Sequence, residues 1–252
     1  MAKLLEVRNV SKSFGNLRAL DGVTLDVEAK TVNILIGPNG SGKTTLINVV
    51  SGFYKPDSGS VLFDGKDITG WAPYSLYKAG IARTFQISSL FWKLSVLENV
   101  LVAEKDNPGE SFSRSLLKRT WLKEEAQATE KAFKVLELIG LYQSWDRQAM
   151  TLSGGQMKLL EIGRALMSAA RLILLDEPVS GVNPTLAHEI FTKILRLRDE
   201  LGVTFFIVEH RLDVALRYVD HIDAMAFGKV IASGEPDMVM NDSKVIEAYL
   251  GG

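Results

Sequence analysis

The sequence predicts an α/β protein built around a parallel sheet, and two repeated observations support this fold class. Three short apolar runs are nearly continuous, as expected for parallel strands that are buried on both faces. These runs occupy residues 32–36, 172–175 and 203–208. The segment after each run has helical spacing of its apolar residues, at 43–50, 185–201 and 212–218. Strand followed by helix, repeated along one chain, predicts parallel strands joined by right-handed crossovers.

The N-terminal region has a different pattern, in which apolar and polar residues alternate. A period of two predicts antiparallel strands with one face in solvent. The apolar positions are Leu5, Val7, Val10, Leu20, Val23, Leu25 and Val27, followed later by Val61 and Phe63. We therefore expect an antiparallel β subdomain at the N-terminal end of the α/β core.

Residues from about 94 to 150 have a helical pattern, which predicts a helical subdomain inserted into the core. Its apolar stripe consists of Ala128, Ala132, Val135, Leu136 and Ile139. The core and the antiparallel subdomain would then comprise residues 1–93 and 151–252, within a single domain of 252 residues. Near the end, two apolar segments flank the turn Gly228-Lys229 and predict a hairpin.

Composition narrows the class of protein further. A chain of 252 residues with 46% hydrophobic residues can bury a full core. With 29 basic and 30 acidic side chains there is no general positive field for nucleic acid, and the absence of cysteine excludes disulfides and thiolate catalysis. There is no apolar run of about 18 residues and no signal-peptide pattern, so we expect a cytoplasmic chain without direct membrane insertion.

The loop after the first apolar run is a candidate phosphate cradle, the name used below for residues 37–44. It reads GPNGSGKT and matches GxxxxGK[ST] between a predicted strand and a predicted helix. Glycines allow a tight turn whose N–H groups point at phosphate oxygens, whereas the alternative is a glycine-rich turn that binds nothing. Lys43 would reach the β- and γ-phosphates, and the Thr44 hydroxyl would bind Mg²⁺. The candidate nucleotide-binding residues are Gly37, Pro38, Asn39, Gly40, Ser41, Gly42, Lys43, Thr44 and Thr45.

The second apolar run ends in two adjacent carboxylates, Asp176 and Glu177. Neighbouring side chains at a strand end point in different directions, so the two can have different tasks. Asp176 suits the Mg²⁺ shell, and Glu177 suits the general base that orients and deprotonates the attacking water. The alternative is a polar strand end without chemistry, which the phosphate cradle in the same chain makes a weaker interpretation.

Residues 152–156, which we call the signature segment, read LSGGQ at the start of a predicted helix that extends to about Met167. Ser153 and Gln156 have the spacing of a capping box, and a cap alone is the structural alternative. A cap does not require the two glycines, which leave bare N–H groups at the helix start where a phosphate could dock. Ser153, Gly154, Gly155 and Gln156 are therefore candidates for a second anion site.

In this order, GPNGSGKT, LSGGQ and RLILLDEP resemble the ABC ATPase family over roughly the whole chain. The resemblance implies a P-loop (RecA-like) parallel-sheet core with an antiparallel β subdomain and an inserted helical subdomain. It also implies ATP, Mg²⁺ and head-to-tail dimers, in which the signature segment of one chain covers the γ-phosphate in the cradle of the other. The partner would be a second copy or a related ATPase.

The resemblance assigns further roles position by position. Phe14 resembles the aromatic residue that stacks on adenine, although a core phenylalanine at a strand end is the alternative. Gln86 resembles the glutamine that contacts Mg²⁺ and the attacking water and links the site to the permease. His210 resembles the switch histidine on the γ-phosphate, and Asn183 ends a loop that resembles one at the dimer interface. Arg211 stands where relatives often have Asp, so the resemblance does not indicate what its side chain pairs with.

Three further segments resemble ATPase subunits of branched-chain amino-acid importers and their urea- or amide-importing relatives. They read GIARTFQ, LENV and VIEAYLG, at residues 80–86, 97–100 and 245–251. This implies an ATPase that powers import through transmembrane permease subunits from the cytoplasmic face of the membrane. The alternatives are the ATPase of a lipopolysaccharide-type exporter and a soluble ABC regulatory ATPase.

Overall fold

A computed structural model of the protein describes residues 2–84, 90–105 and 118–250. The chain divides into two compact units, of which the first comprises Met1–Gln86 and Arg171–Gly252 and the second comprises Ile87–Ala170. The second unit begins before and ends after residues 94–150, the segment that the sequence predicts as a helical subdomain. It includes the helix that follows the signature segment.

The strands of the first unit form two sheets. Its strands are β1 (Lys3–Phe14), β2 (Leu17–Glu28), β3 (Val32–Ile36), β4 (Ser58–Phe63), β5 (Lys66–Asp67), β6 (Ile81–Arg83), β7 (Leu172–Asp176), β8 (Thr204–Val208), β9 (His221–Ala226) and β10 (Lys229–Gly234). The smaller sheet has the order β2-β1-β4-β5 and is antiparallel, as the period of two predicts. The larger sheet has the order β10-β9-β3-β8-β7-β6.

The helices of both units are numbered in the order in which they occur along the chain. They are α1 (Lys43–Val50), α2 (Pro73–Ala79), α3 (Val96–Leu101), α4 (Lys118–Ile139), α5 (Gly154–Met167), α6 (Pro184–Leu201), α7 (Leu212–Ala215), α8 (Pro236–Met240) and α9 (Ser243–Leu250). The predicted helix at 212–218 is α7 followed by a 3₁₀ turn at Leu216–Tyr218. None of the helices within the described ranges is long and apolar enough to cross a membrane.

Strands β6, β7, β8, β3 and β9 run parallel to their neighbours, and β10 is the antiparallel edge strand. Every residue of β3, β7 and β8 is buried, which explains their continuous apolar runs. The carboxyl ends of these strands carry the cradle, the paired carboxylates and the segment of His210. The predicted α/β class with a parallel sheet and an antiparallel β subdomain is confirmed.

Two details of the larger sheet differ from the prediction. Strand β6 was not assigned from the sequence, because three residues ending in Arg83 are too short for a periodic pattern. The turn of the C-terminal hairpin is Phe227-Gly228 and not Gly228-Lys229. Both turn residues have positive φ, 49° and 75°, which suits the twist of a two-residue hairpin.

The regular elements of the second unit, over its described residues, are helices joined by turns and one isolated bridge between Ser95 and Gln148. The apolar stripe of α4 is buried at Ala132, Val135, Leu136 and Ile139. Helix α4 packs on α5 at Gly163, where an added Cβ would lie 2.6 Å from Cδ1 of Ile139. The glycine thus permits a close approach of the two helices, which fixes the helix that begins at the signature segment.

Candidate active site

The phosphate cradle connects buried β3 to α1, and its glycines have backbone conformations that other residues rarely adopt. Gly37, Gly40 and Gly42 have φ of 148°, 78° and 104°. A Cβ on Gly37 would overlap the carbonyl oxygen of Met225, and one on Gly42 would lie 2.5 Å from the Ala19 carbonyl oxygen. Two of the three glycines are therefore required by close packing against the backbone of the same chain, as well as by their φ.

The Lys43 ammonium lies within the cradle. Its Nζ donates hydrogen bonds to the carbonyl oxygens of Gly37 at 2.8 Å and Pro38 at 2.9 Å. Burial lowers the pKa of Lys43, and the negative charges of Glu177 and Asp176 act in the opposite direction. The cradle lysine and both carboxylates thus share one electrostatic environment, as the sequence predicts.

Asp176, at the carboxyl end of β7, is buried and ion-paired with Arg83 of β6, with 3.1 Å between Oδ2 and Nη2. Arg83 Nη1 also donates to Asn48 Oδ1 at 2.6 Å and Ser51 Oγ at 2.8 Å, both near the end of α1. Burial lowers the pKa of Arg83, against the effect of Asp176. Sequence reasoning missed this arginine, and its only signal was a charge inside an apolar segment.

The structure brings Glu177 and His210 together. His210 follows β8, and its Nδ1 lies 3.4 Å from Glu177 Oε1. Glu177 has φ of 51°, and its N–H donates to the Val208 carbonyl at 2.9 Å. A non-glycine residue held in the left-handed region costs on the order of 1–3 kcal/mol, so the neighbouring hydrogen bonds must hold this conformation.

The signature segment lies in the second unit, at the N-terminus of α5. Gln156 N–H donates to Ser153 Oγ at 3.4 Å, and Ser153 N–H donates to Gln156 Oε1 at 3.0 Å. The predicted capping box is confirmed. A Cβ on Gly154 would meet no atom within 4 Å, and its φ is not in the left-handed region. Nothing in this unit therefore requires glycine at that position.

Comparison with known proteins covers the regions just described. The sequence model of the family described as ABC transporter matches residues 20–180, and that of branched-chain amino acid ATP-binding cassette transporters matches residues 229–252. The chain belongs to the ABC transporter family. The match includes the phosphate cradle, the signature segment and both carboxylates.

Similar proteins place the chain within a group of this ABC family. It is 50% identical over 249 residues to the probable branched-chain amino acid transport ATP-binding protein of Archaeoglobus fulgidus, covering 99% of this chain and 96% of that protein. The corresponding protein of Methanocaldococcus jannaschii is 50% identical over 253 residues, with 99% and 98% covered. The high-affinity counterpart of Pseudomonas aeruginosa is 38% identical over 249 residues, with 98% of both covered.

Solved ABC cassettes have the same fold. An ATP-binding cassette of an ABC transporter in its ADP conformation has a TM-score of 0.88 and 48% identity over 100% of both chains. A nucleotide-free cassette has a TM-score of 0.86 and 49% identity over 100% of both chains. The predicted family, importer subgroup and fold class are confirmed. This ABC cassette binds nucleotide, hydrolyses ATP in support of transport, and has permease subunits as partners.

The remaining predicted site residues of the ABC cassette differ in their exposure and contacts. Phe14 is 43% exposed and makes an edge contact with Tyr54 at 5.2 Å between ring centroids, so it is not a core residue. Thr44 is exposed, and Asn183 caps α6 through a hydrogen bond from Leu186 N–H at 2.9 Å. Gln86 lies outside the described residues, so its place in the site stays a prediction.

Proposed function

We propose that this chain powers the import of branched-chain amino acids, acting on permease subunits at the cytoplasmic face of the membrane. The observation that carries the proposal is 50% identity over nearly the full length to proteins named for branched-chain amino acid transport. The match of residues 229–252 to the corresponding C-terminal model adds independent support, because that segment lies outside the general cassette match.

Within this function the cradle binds the phosphates of ATP, with Lys43 at the β- and γ-phosphates. Glu177 orients the water that attacks the γ-phosphorus and accepts its proton, while His210 contacts the γ-phosphate. The 3.4 Å contact between these two side chains supports their assignment to one site. Gln86 is proposed to contact the same water and Mg²⁺, and exposed Phe14 is proposed to stack on adenine.

The site fits Mg²⁺ through its donor chemistry. Thr44 is an exposed residue with a hydroxyl group, and Asp176 offers a carboxylate that is ion-paired with Arg83. Mg²⁺ prefers such oxygen ligands and is usually bound by one or two protein groups together with substrate phosphates. Within the described ranges, no three His, Cys, Asp or Glu side chains form a separate metal cluster. Bound Mg²⁺ would neutralise charge on the β- and γ-phosphates.

A second chain completes the site in this proposal, as a copy of this chain or as a related ATPase. The open space at Gly154 supports it, since a glycine that its own unit does not require is available for a group from outside. The N-terminus of α5 presents backbone N–H groups with no acidic residue in the first turn, which favours a phosphate there. The whole chain acts as one ATPase domain, with the helical subdomain inserted in the α/β core.

Steady-state ATP hydrolysis by the full chain with Mg²⁺ tests the catalytic assignment. Glu177→Gln should bind ATP with wild-type affinity but hydrolyse it about 10²–10⁴-fold more slowly, because the general base is lost. Glu189→Gln, an exposed carboxylate of α6, serves as the matched control and should keep full activity. Wild-type turnover in Glu177→Gln would exclude Glu177 as the base.

The transported solute requires the whole transporter. The chain and its permease subunits, reconstituted in vesicles, should take up labelled leucine, isoleucine or valine when ATP is supplied on the side of this chain. Glu177→Gln transporters should bind ATP without uptake. ATP-driven efflux, or uptake of urea in place of these amino acids, would refute the proposed direction or solute.

A further inference from the structure

A buried carboxylate next to the switch histidine is not explained by the mechanism above. Glu209 directly follows β8 and is 0% exposed. Its Oε1 accepts a hydrogen bond from Val179 N–H at 3.2 Å. Its Oε2 accepts from the N–H groups of His210 at 2.8 Å and Arg211 at 3.2 Å. The carboxylate therefore joins the backbone at His210 to the start of another loop.

That loop, residues 179–182, is also held at its other end. Arg211 Nη1 donates a hydrogen bond to the Val182 carbonyl oxygen at 2.8 Å, and its Nη2 lies 3.3 Å from Asp213 Oδ2. An acceptor on Glu209 thus holds the first N–H of the loop, and a donor on Arg211 holds its last carbonyl. The pairing of Arg211 that the sequence left open is with this loop and with Asp213.

The loop is directly connected to the proposed general base. It begins two residues after Glu177, and Ser180 N–H donates to the Glu177 carbonyl oxygen at 3.1 Å. The Glu177 side chain in turn lies 3.4 Å from His210 Nδ1. Glu177, the loop, Glu209 and His210 therefore form a closed ring of contacts.

Stability alone is a poor explanation for a carboxylate at this position. Moving a charge out of water is costly, and replacing buried ionic groups by apolar ones is often neutral or stabilising. Three N–H donors on two oxygens instead fix the relative position of two backbone segments. Such an arrangement is useful where a general base, here Glu177, and a histidine, here His210, must keep a fixed position relative to each other.

We propose that Glu209 and Arg211 are positioning residues that hold the loop 179–182 and the switch histidine in one arrangement. This proposal rests on the proposed roles of Glu177 and His210. Loosening the ring shifts His210 and Glu177 relative to the γ-phosphate but leaves the cradle intact. A misplacement of about 1 Å at reacting groups can cost about 10²-fold in rate.

Glu209→Gln tests the carboxylate with little change of shape. Its amide NH₂ must face either Val179 N–H or the N–H groups of His210 and Arg211, so a donor meets a donor and at least one bond is lost. We expect kcat of the full chain with Mg²⁺ and ATP to fall about 10- to 100-fold. The dissociation constant for ATP should change by less than about twofold, because the cradle is untouched.

Amide hydrogen exchange measures the positioning directly. In Glu209→Gln, exchange should become faster in peptides covering residues 177–184 and 208–212 and stay unchanged in peptides covering 37–50. Glu189→Gln should alter neither exchange nor kcat. Arg211→Met, on a partly exposed side chain, removes the hydrogen bond to Val182 together with the ion pair to Asp213, and leaves the three hydrogen bonds of Glu209 in place. It should give a smaller fall in kcat, with faster exchange at residues 180–184.

The outcomes separate this proposal from the one on which it rests. Wild-type kcat in both Glu209→Gln and Arg211→Met would overturn the positioning role, and so would equal losses of ATP affinity and kcat. If His210→Ala has little activity while Glu209→Gln is fully active, only the positioning role fails. If His210→Ala keeps wild-type turnover, the assignment of His210 fails and the positioning role fails with it.

Discussion

The phosphate cradle and the signature segment both place glycines at the N-terminus of a helix, but for different reasons. In the cradle, Gly37 and Gly42 have φ in the left-handed region and would bring a Cβ against backbone oxygens of the same unit. In the signature segment, Gly154 has an ordinary φ and open space around its Cα. The first set of glycines is required by folding, whereas no atom of its own unit requires glycine at position 154.

The two helix starts also differ in their charge. The cradle encloses a cation, since Lys43 is buried and donates to the Gly37 and Pro38 carbonyl oxygens. The start of α5 has no acidic residue in its first turn, and its neutral Ser153–Gln156 box leaves the helix dipole as the source of positive potential. The cradle is therefore built from residues of one chain, whereas in the proposed mechanism the signature segment is a half-site that acts on the nucleotide of a second chain.

The largest effect should come from Gly37→Ala, which breaks the cradle. The new Cβ meets the Met225 carbonyl oxygen and forces a strained φ, so we expect a loss of about 3 kcal/mol or more in unfolding free energy, together with loss of nucleotide binding. Urea unfolding and nucleotide titration measure both. Gly40→Ala is the control, with positive φ but no atom within 4 Å of its Cβ, and should lose only about 1–2 kcal/mol. Equal losses in the two variants would show that packing does not distinguish the cradle glycines.

The next effect should come from Gly154→Ala, and it should be on activity alone. The unfolding free energy should change by no more than about 0.5 kcal/mol, because the added methyl group meets no neighbour. ATP hydrolysis should fall about 10²-fold, since the methyl group displaces the γ-phosphate from the N–H groups of α5. Full activity would contradict a phosphate site at this helix.

The smallest of the three effects in free energy should come from Ser153→Ala. Ser153→Ala removes the side-chain acceptor of the capping box and should cost about 1 kcal/mol of unfolding free energy. Ser153→Asp keeps an N-cap acceptor and should restore stability, but its charge repels phosphate and should keep hydrolysis low. Thermal unfolding and ATPase assays on both variants separate the cap from the anion site. Recovery of activity in Ser153→Asp would mean that the residue is only a cap.

The features that could be predicted from the sequence are those that depend on a local pattern of residues. The runs of β3, β7 and β8 are apolar throughout because both sheet faces are covered, and the cradle has a fixed spacing between strand and helix. The sequence did not predict β6, which is three residues long, or the pair of Arg83 and Asp176, which are far apart in the chain. The contact between Arg211 and Val182 was equally hidden, since it depends on how two loops meet at the sheet edge.

The central claim, that the signature segment of one chain completes the cradle of another, is tested most directly by association in ATP. We would compare Glu177→Gln with Glu177→Gln/Gly154→Asp by gel filtration with light scattering, after showing that both bind ATP. Glu177→Gln should form a dimer only with ATP, and the double variant should stay monomeric because the new carboxylate repels the γ-phosphate. Equal ATP-dependent dimerisation of the two, or a monomeric Glu177→Gln alongside a monomeric wild type with full turnover, would contradict a composite site.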